Sequence, residues 1–163
     1  MDAIEAIRSR TSVRRYQPRE IPREILEELA DCGRLAPSGY NKQPWVFVAV
    51  TERALLEAIA AEAEYGAFIA KAAACVAIAC SQSETMLEDA CAAAENIIVA
   101  ASSLGLGSCW VNSFRKAHSA KVESLLRFPE GLELAVLLSL GYPADESRRP
   151  KKGLAEVLRW NGF

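Results

Sequence analysis

Two clusters of cationic side chains lie near opposite ends of the 163-residue sequence. Arg10, Arg14 and Arg15 form the first, with Ser12 among them, and the second runs from Arg148 to Lys152. Guanidinium and ammonium groups combined with a hydroxyl donor are well suited to phosphate, so a fold that joins the clusters would create a phosphate site. Composition alone favours the alternative that both clusters are solvated surface charge, because Lys and Arg are mostly exposed in proteins.

Few side chains could perform catalysis on their own. His118 is the single histidine, so no Ser-His-Asp set and no histidine metal cluster can be assembled. Its position just before an expected helix predicts a surface or capping role. Gly105-Leu106-Gly107 is not a GxGxxG dinucleotide motif, and the sequence contains no P-loop motif. If the chain is an enzyme, we expect a bound cofactor to carry the reactivity.

The cysteines predict neither a disulfide framework nor a zinc site. Their number is odd, no pair has CxxC spacing, and most have apolar neighbours in the sequence. We expect small buried hydrophobic side chains in a reducing compartment, at Cys32, Cys75, Cys80, Cys91 and Cys109.

Composition narrows the functional class. The formal net charge is −2 and 51% of the residues are hydrophobic, with no long basic run, so nucleic-acid binding is not expected. No apolar run reaches the length that a membrane span needs, and the first ten residues do not resemble a signal peptide. These features predict a cytoplasmic protein with one domain over residues 1–163.

The hydrophobic pattern alternates between helices and strands, which predicts an α/β or α+β protein with one interior sheet. Asp2 can cap a short first helix in which Ile4 and Ile7 face inward. Pro22 opens a second helix, and Ser119 can cap a later one. We expect strands at 45–50, 73–80, 109–111 and 132–140, further helices at 52–64 and 84–104, and a last short helix that ends at Arg159.

The helix at 84–104 is the longest expected element. Acidic residues occupy its first turns, where the helix dipole favours them. From Ala90 onwards its apolar side chains cover every face, which predicts a buried helix, central in the fold or crossing between subunits. Gly105 ends this helix, and the turn that follows leads into a strand, so backbone amides could meet a ligand there.

Three segments, in this order, resemble the nitroreductase family of FMN flavoproteins. They read RTSVRRY at 10–16, APSGYNKQPW at 36–45, and Glu88-Asp89 through Asn96 to LGLGSCW at 104–110. Together with the GYP sequence at 141–143 and the basic tail, they span nearly the whole chain. At this length the sequence is similar to the compact members of the family.

The resemblance implies an α+β sandwich with a central mixed sheet flanked by helices, in an intertwined homodimer with two FMN sites at the subunit interface. Arg10, Thr11 and Ser12 would bind the FMN phosphate, with Arg149 and Lys151 from the tail. Arg14 would lie near flavin N1 and O2, where a cation favours the negative charge of the reduced flavin. The resemblance also implies a loop that reaches the flavin from the other subunit and consists of Pro37, Ser38, Gly39 and Asn41. It further implies a segment beneath the ring, one of whose backbone N–H groups bonds flavin N5, made up of Trp110, Val111, Asn112 and Ser113.

The sequence departs from the family pattern at two places. The usual Asn or Lys contact to the flavin pyrimidine edge cannot be placed, and Tyr65 and Lys71 are the nearest candidates. Ser113 stands where a glycine is common, which could crowd or stiffen the turn beside the ring.

The function implied is an oxidoreductase in which NADH or NADPH delivers hydride to flavin N5 and a small acceptor then takes the electrons. Nitroaromatics, quinones and activated alkenes are candidate acceptors. No side chain is assigned a catalytic role, since flavin N5 carries the chemistry. Two alternatives stay open, a specialised family activity and a flavin-binding or regulatory protein with little turnover. A fold without a cofactor is a third, in which the motifs and basic clusters are coincidental.

Overall fold

The computed structural model describes residues 1–145 and 149–163. The described residues form an α+β fold, as the sequence predicted. Short 3₁₀ turns occur at Gly39–Asn41 and Ala67–Lys71. The helices and strands follow in the order α1 (Ala3–Ser9), α2 (Arg23–Arg34), β1 (Trp45–Val50), α3 (Arg53–Glu62), β2 (Ala74–Ser81), α4 (Met86–Ser103), β3 (Gly107–Asn112), α5 (Ser119–Leu125), β4 (Leu132–Gly141) and α6 (Leu154–Val157).

The four strands form one sheet in the order β1-β2-β4-β3. Every neighbouring pair is antiparallel, whereas the sequence led us to expect a mixed sheet. Because β1 and β3 are the edge strands, parallel pairing could occur only along their outer sides. Within the described residues it occurs once, as an isolated bridge between Ser12 and Ser108.

Helices cover both faces of the sheet, so the central strands are apolar on both sides. In β2, Val76 and Ile78 belong to a core shared with α2 and α4, while Cys75 and Ala77 belong to a second core shared with α3 and α5. This alternation follows from the two-residue period of a strand. It explains the continuous apolar runs of β2 and β4, which are typical of strands buried on both faces.

Helix α1 packs differently from the prediction. Asp2 caps it as expected, accepting a hydrogen bond from the Glu5 N–H at 2.8 Å. Ile4 and Ile7, expected to face inward, are instead 57% and 55% exposed. The helix contacts α4 through the side that carries Ala6, where Ser102 Oγ donates to Ala6 O. Side chains on the other sides of the helix, including Ile4 and Ile7, therefore point away from the protein.

Helix α4 is buried on one side only. Ala93, Ile97 and Ala101 are fully buried, but Ala92 and Val99 are partly exposed. The expectation of a helix buried on every face is therefore wrong for a single chain, because the sheet, α1 and α2 cover only part of its circumference. No helix among the described residues is both long and apolar enough to cross a membrane.

The cysteines are all free, and their burial varies with position in the fold. Cys75, Cys80 and Cys109 are buried, as predicted, because they lie on sheet strands. Cys32 on α2 and Cys91 on α4 are only partly buried, which differs from the prediction.

Candidate functional site

The basic segment after α1 crosses the outer edge of β3. Ser12 bridges to Ser108, and the Val13 N–H donates to Ser108 O at 2.8 Å. Tyr16 anchors the far end of this arm (residues 10–16), since its hydroxyl lies 2.7 Å from both Val13 O and Ser139 Oγ. The arm is thus held by main-chain and buried side-chain hydrogen bonds, which fixes where its arginines lie.

Two glycines that face each other across the sheet make room for the arm. Gly107 in β3 and Gly141 in β4 are register partners. A Cβ on Gly107 would lie 2.7 Å from Val13 Cβ, and one on Gly141 would lie 2.6 Å from Tyr16 Cδ1. Both distances are shorter than van der Waals contact, so the arm can lie on the sheet only because these positions lack a side chain.

A hollow of about 170 Å³ lies between the arm and the turn that joins α4 to β3. Arg10 and Thr11 line one side, and Gly105 and Ser108 line the other. The adjoining Cys109 thiol has a pKa raised by burial, an effect opposed by the charges of Arg14 and Arg10 and by a hydrogen bond with Ser12. A hollow with a guanidinium, hydroxyls and a glycine-containing turn can bind a phosphate group.

Arg14 extends from the arm to the turn that precedes β2. Its guanidinium carbon lies 5.7 Å from the centroid of the Phe68 ring. The same turn carries Lys71, which lines a groove of about 890 Å³ between β1, α2 and the turn. Tyr65, the other candidate for the pyrimidine contact, is 79% exposed. Of the two, Lys71 lies on the turn that Arg14 reaches.

The second basic cluster starts beside the first. Ala144 N–H donates to Arg15 O, and the Arg15 guanidinium lies 3.2 Å from Asp145 Oδ2. Arg149 follows Asp145 by four residues, a span of at most about 14 Å. Arg149 and Lys151 are exposed in the single chain, and Arg148 lies outside the described residues. Among the described residues of the tail, neither Arg149 nor Lys151 lines the hollow.

Beyond the arm, the outer edge of β3 carries main-chain N–H groups that point away from β4. Ser113 N–H bonds Ala135 O at 3.2 Å, so it points towards β4. Successive N–H groups of a strand point in opposite directions, and the Asn112 N–H therefore points away from the sheet. Of the predicted segment Trp110–Ser113, the residues whose main chain can serve a ligand at this edge are thus Trp110 and Asn112, whereas Val111 and Ser113 face inward.

The loop at residues 37–43 is held in place by α4. The buried Asp89 accepts from Gly39 N–H and from Thr85 Oγ1, both at 2.9 Å. Gln43 N–H donates to Ser38 Oγ at 2.9 Å. Tyr40 has a φ of +53° and is 92% exposed. The loop also carries the predicted site residues Pro37 and Asn41, both of which are exposed.

A single chain does not bring this loop to the arm. The loop is tied to Asp89 in the first turns of α4, whereas α1 and the arm pack near Ser102 in its last turn. Thirteen helical residues separate these anchors by about 20 Å. The arm and the loop therefore lie towards opposite ends of α4, and the predicted residues of β3 run from the arm along the edge of the sheet.

His118 is buried, not at the surface. It is 6% exposed, and its Nε2 lies 3.0 Å from Ser113 Oγ. Neither His118 nor Ser119 caps α5 in the expected manner. Ser119 Oγ accepts from Lys116 N–H and donates to Ser113 O, so both side chains close the turn after β3. Their sequence environment, RKAHSAK, is polar and gave no signal for this burial.

Sequence comparisons match the model of the nitroreductase family to residues 7–84 and 61–142 of the chain. The chain belongs to the nitroreductase family. A relative from Methanothermobacter thermautotrophicus, provisionally named an NADH dehydrogenase/NAD(P)H nitroreductase, is 34% identical over 151 residues, which cover 89% of this chain and 79% of the relative.

Solved structures of nitroreductases have the same fold. A protein from Bacteroides thetaiotaomicron with the same provisional name is 29% identical, with a TM-score of 0.93 over 99% of this chain and 98% of that one. A protein from Desulfovibrio desulfuricans, provisionally named a nitroreductase, was solved in complex with FMN. It is 26% identical, with a TM-score of 0.84 over 100% of this chain and 98% of that one. The resemblance of the three sequence motifs to the nitroreductase family is confirmed.

Proposed function

We propose that this nitroreductase-family chain is an FMN-dependent NAD(P)H oxidoreductase built as one domain over residues 1–163. The arrangement that carries the proposal is the arm seated on Gly107 and Gly141, with a phosphate-sized hollow on one side and outward-pointing N–H groups of β3 on the other. FMN requires a site for its phosphate and donors for its ring nitrogens, and the residues present fit both needs. The FMN complex of the D. desulfuricans relative supports the same assignment.

Each site residue then has a distinct task. Arg10, Thr11 and Ser12 would hold the phosphate, and Arg14, beside Phe68, would hold a positive charge near flavin N1 and O2. The outward N–H of Asn112 would bond flavin N5, while Trp110, Val111 and Ser113 set the position of that edge. Arg149 and Lys151 would close over the phosphate from the tail.

The same proposal requires a homodimer. Loop residues Pro37, Ser38, Gly39 and Asn41 lie about 20 Å along α4 from the anchor of the arm. They can reach a flavin at the arm only if they come from a second chain. Large apolar side chains that lack cover in the single chain are available for such an interface, among them Ile4, Ile7, Leu154, Val157 and Trp160.

When bound, FMN supplies two-electron transfer from NADH or NADPH to a small acceptor such as a nitroaromatic compound or a quinone. This chain's residues bind and orient the cofactor, and no side chain is assigned as a general acid or base. The relatives named NAD(P)H nitroreductase support this class of reaction. A specialised family activity, or a flavin-binding protein with little turnover, is the alternative outcome.

The test is an absorbance spectrum of the purified protein with FMN, before and after anaerobic addition of NADH or NADPH. We expect flavin bands that bleach with at least one of the two nicotinamides, followed by recovery on addition of a nitroaromatic compound or a quinone. Bound flavin that stays oxidised would favour the flavin-binding alternative. A protein that does not bind FMN contradicts the proposal.

A further inference from the structure

A buried imidazole and a buried hydroxyl lie directly behind the Asn112 N–H. Ser113 is completely buried, and His118 is 6% exposed. Their polar atoms, Ser113 Oγ and His118 Nε2, are 3.0 Å apart. The proposed binding of FMN assigns no contact to either side chain, yet a buried polar pair is costly unless it is well bonded.

The neighbouring carbonyl fixes the direction of the hydrogen bonds. Ser113 Oγ lies 3.2 Å from Val111 O, and a carbonyl can only accept, so the single hydroxyl proton is donated there. On this assignment, Ser113 Oγ accepts a hydrogen bond from His118 Nε2–H. This places the imidazole proton on Nε2 and leaves Nδ1 without one.

The surroundings of Nδ1 favour the same neutral form. Among the described residues, this buried atom has no hydrogen-bond partner. A protonated ring would carry a second N–H there without an acceptor. Burial accordingly lowers the pKa of His118 below its usual value, with the Lys116 charge acting in the same direction and the Glu64 carboxylate opposing it.

Val111 C=O and Asn112 N–H belong to one peptide group. In a trans peptide they point in opposite directions, so the bond from Ser113 Oγ grips the inner side of the group whose N–H faces the ligand edge. A hydrogen bond to the carbonyl also polarises the peptide and strengthens its N–H as a donor.

We propose that His118 is a positioning residue for the flavin, acting through Ser113 and the Val111–Asn112 peptide to aim and strengthen the N–H that meets flavin N5. In this relay, His118 Nε2–H donates to Ser113 Oγ, and the Ser113 hydroxyl donates to Val111 O. The Asn112 N–H of the same peptide group then donates to the flavin. The proposal rests on the proposed function, because it places FMN at this edge. It also gives a role to Ser113, which stands where glycine is common in the family.

The first part of the test needs no flavin. Because His118 is the only histidine, ¹⁵N NMR of the imidazole reports this site without assignment ambiguity. We expect the neutral ring with its proton on Nε2, and loss of that tautomer preference in Ser113→Ala. Ser124→Ala, which removes an exposed hydroxyl of α5, is the matched control and should leave the spectrum unchanged. A preference that survives Ser113→Ala overturns the relay.

The second part measures the affinity for oxidised FMN. Ser113→Ala and His118→Leu should each weaken binding about 3- to 10-fold. His118→Gln, which keeps an N–H donor, should lie close to the unaltered protein. A packing role alone would not favour Gln over Leu. Circular dichroism checks that each variant folds. If the His118 variants do not fold, the FMN affinity of Ser113→Ala, which is the smaller change, tests the proposal.

The double variant distinguishes a relay from two independent effects. If the two groups act in series, the double variant should lose no more FMN affinity than the single variant with the larger loss. A loss equal to the product of the two single losses overturns the proposal, as does unchanged affinity in all variants. Those results leave the FMN-dependent function intact, provided that the unaltered protein binds FMN. If it does not, both the function and the relay are overturned.

Discussion

At the scale of single residues, the site depends on a few charged and polar groups whose partners are fixed by the fold. Arg10 lies at the end of α1, where its N–H bonds Ala6 O and its side chain lines the hollow. Its position relative to the glycine turn is therefore set by main-chain hydrogen bonds and does not depend on a ligand. This preorganisation reduces the ordering cost of binding an anion.

Replacing Arg10 with Ala should weaken FMN binding about 10- to 100-fold, because a charge-assisted hydrogen bond contributes about 1.5–3 kcal/mol. Flavin fluorescence titration measures the dissociation constant. Arg8→Ala is the matched control, since it removes the same charge from the same helix at an exposed position outside the hollow. Equal affinities for the two variants would remove Arg10 from the phosphate site.

His118 also makes stability depend on pH. Its pKa is lowered in the folded protein, so the unfolded chain binds a proton at a higher pH than the folded one. The contribution of neutral His118 to the free energy of unfolding is complete above about pH 6.5, the pKa of histidine in the unfolded chain. This contribution is lost as the pH falls from there to the lower pKa of His118 in the folded protein. In urea unfolding, the difference in stability between the unaltered protein and His118→Gln should therefore shrink below about pH 6.5. A pH-independent difference would contradict this expectation.

At the scale of elements, the arm and the loop are both placed by close packing against neighbouring elements. Gly107 lets the arm lie across β3, and Asp89 ties the loop to α4. The two interactions differ in kind, since the first depends on the absence of a side chain and the second on a buried carboxylate. Each can be removed by one substitution.

Gly107→Ala should destabilise the protein by about 1–3 kcal/mol, because the added methyl group would lie 2.7 Å from Val13 Cβ. It should also weaken FMN binding, since the arm carries Arg10 and Ser12. Urea unfolding measures the first effect and a flavin titration the second. Gly153→Ala is the control, as its Cβ has open surroundings, with the nearest atom, Glu156 Oε1, at 3.4 Å. Unchanged stability in Gly107→Ala would mean that the arm can shift freely.

Asp89→Ala should release the loop. It leaves the Gly39 N–H and the Thr85 hydroxyl without an acceptor, at a cost of about 1–3 kcal/mol. Hydrogen exchange at the Gly39 amide should become faster, while amides of β2 change little. Glu88→Ala removes the neighbouring exposed carboxylate and should have no such effect. Equal exchange at Gly39 in both variants would rule out the tether.

At the scale of the whole molecule, the single chain leaves two things incomplete. The arm and the loop lie at opposite ends of α4, and the apolar side chains of the tail have no cover. Leu154 and Trp160 are 71% and 81% exposed. Exposed apolar residues in this number are typical of a protein interaction surface. In the proposed homodimer, a second copy of the chain would bring its loop to the arm and cover these side chains.

Sedimentation equilibrium should therefore give about twice the chain mass of 17.7 kDa. Trp160→Ala should raise the dimer dissociation constant by at least about tenfold, because large aromatic residues dominate interface energetics. FMN binding should weaken in parallel at concentrations where the variant is monomeric. Lys152→Ala, an exposed neighbour in the tail, should leave the mass unchanged. A monomer that binds FMN as tightly as the dimer contradicts the shared site.

The sequence by itself determined the α+β class, the family and the bounds of several elements. β1 occupies Trp45–Val50 as predicted, and Asp2 caps α1, because β-branched and aromatic runs and N-cap residues act locally. The three motifs in the family's order identified the family, whereas any one of them alone would be weak evidence. None of these features requires knowledge of distant neighbours.

Tertiary structure alone decided which side of each element is covered and which polar groups meet. Ile4 and Ile7 face outward because α1 docks on α4 through Ala6 and Ser9, whose small size allows close approach. His118 is buried because the turn after β3 folds it onto Ser113, five residues away, within a polar sequence that predicts exposure. The pairing of Gly107 with Gly141 depends on strand register, which joins positions 34 residues apart. Such contacts join groups that are distant along the chain or are brought together by a turn, so they cannot be predicted from composition and periodicity.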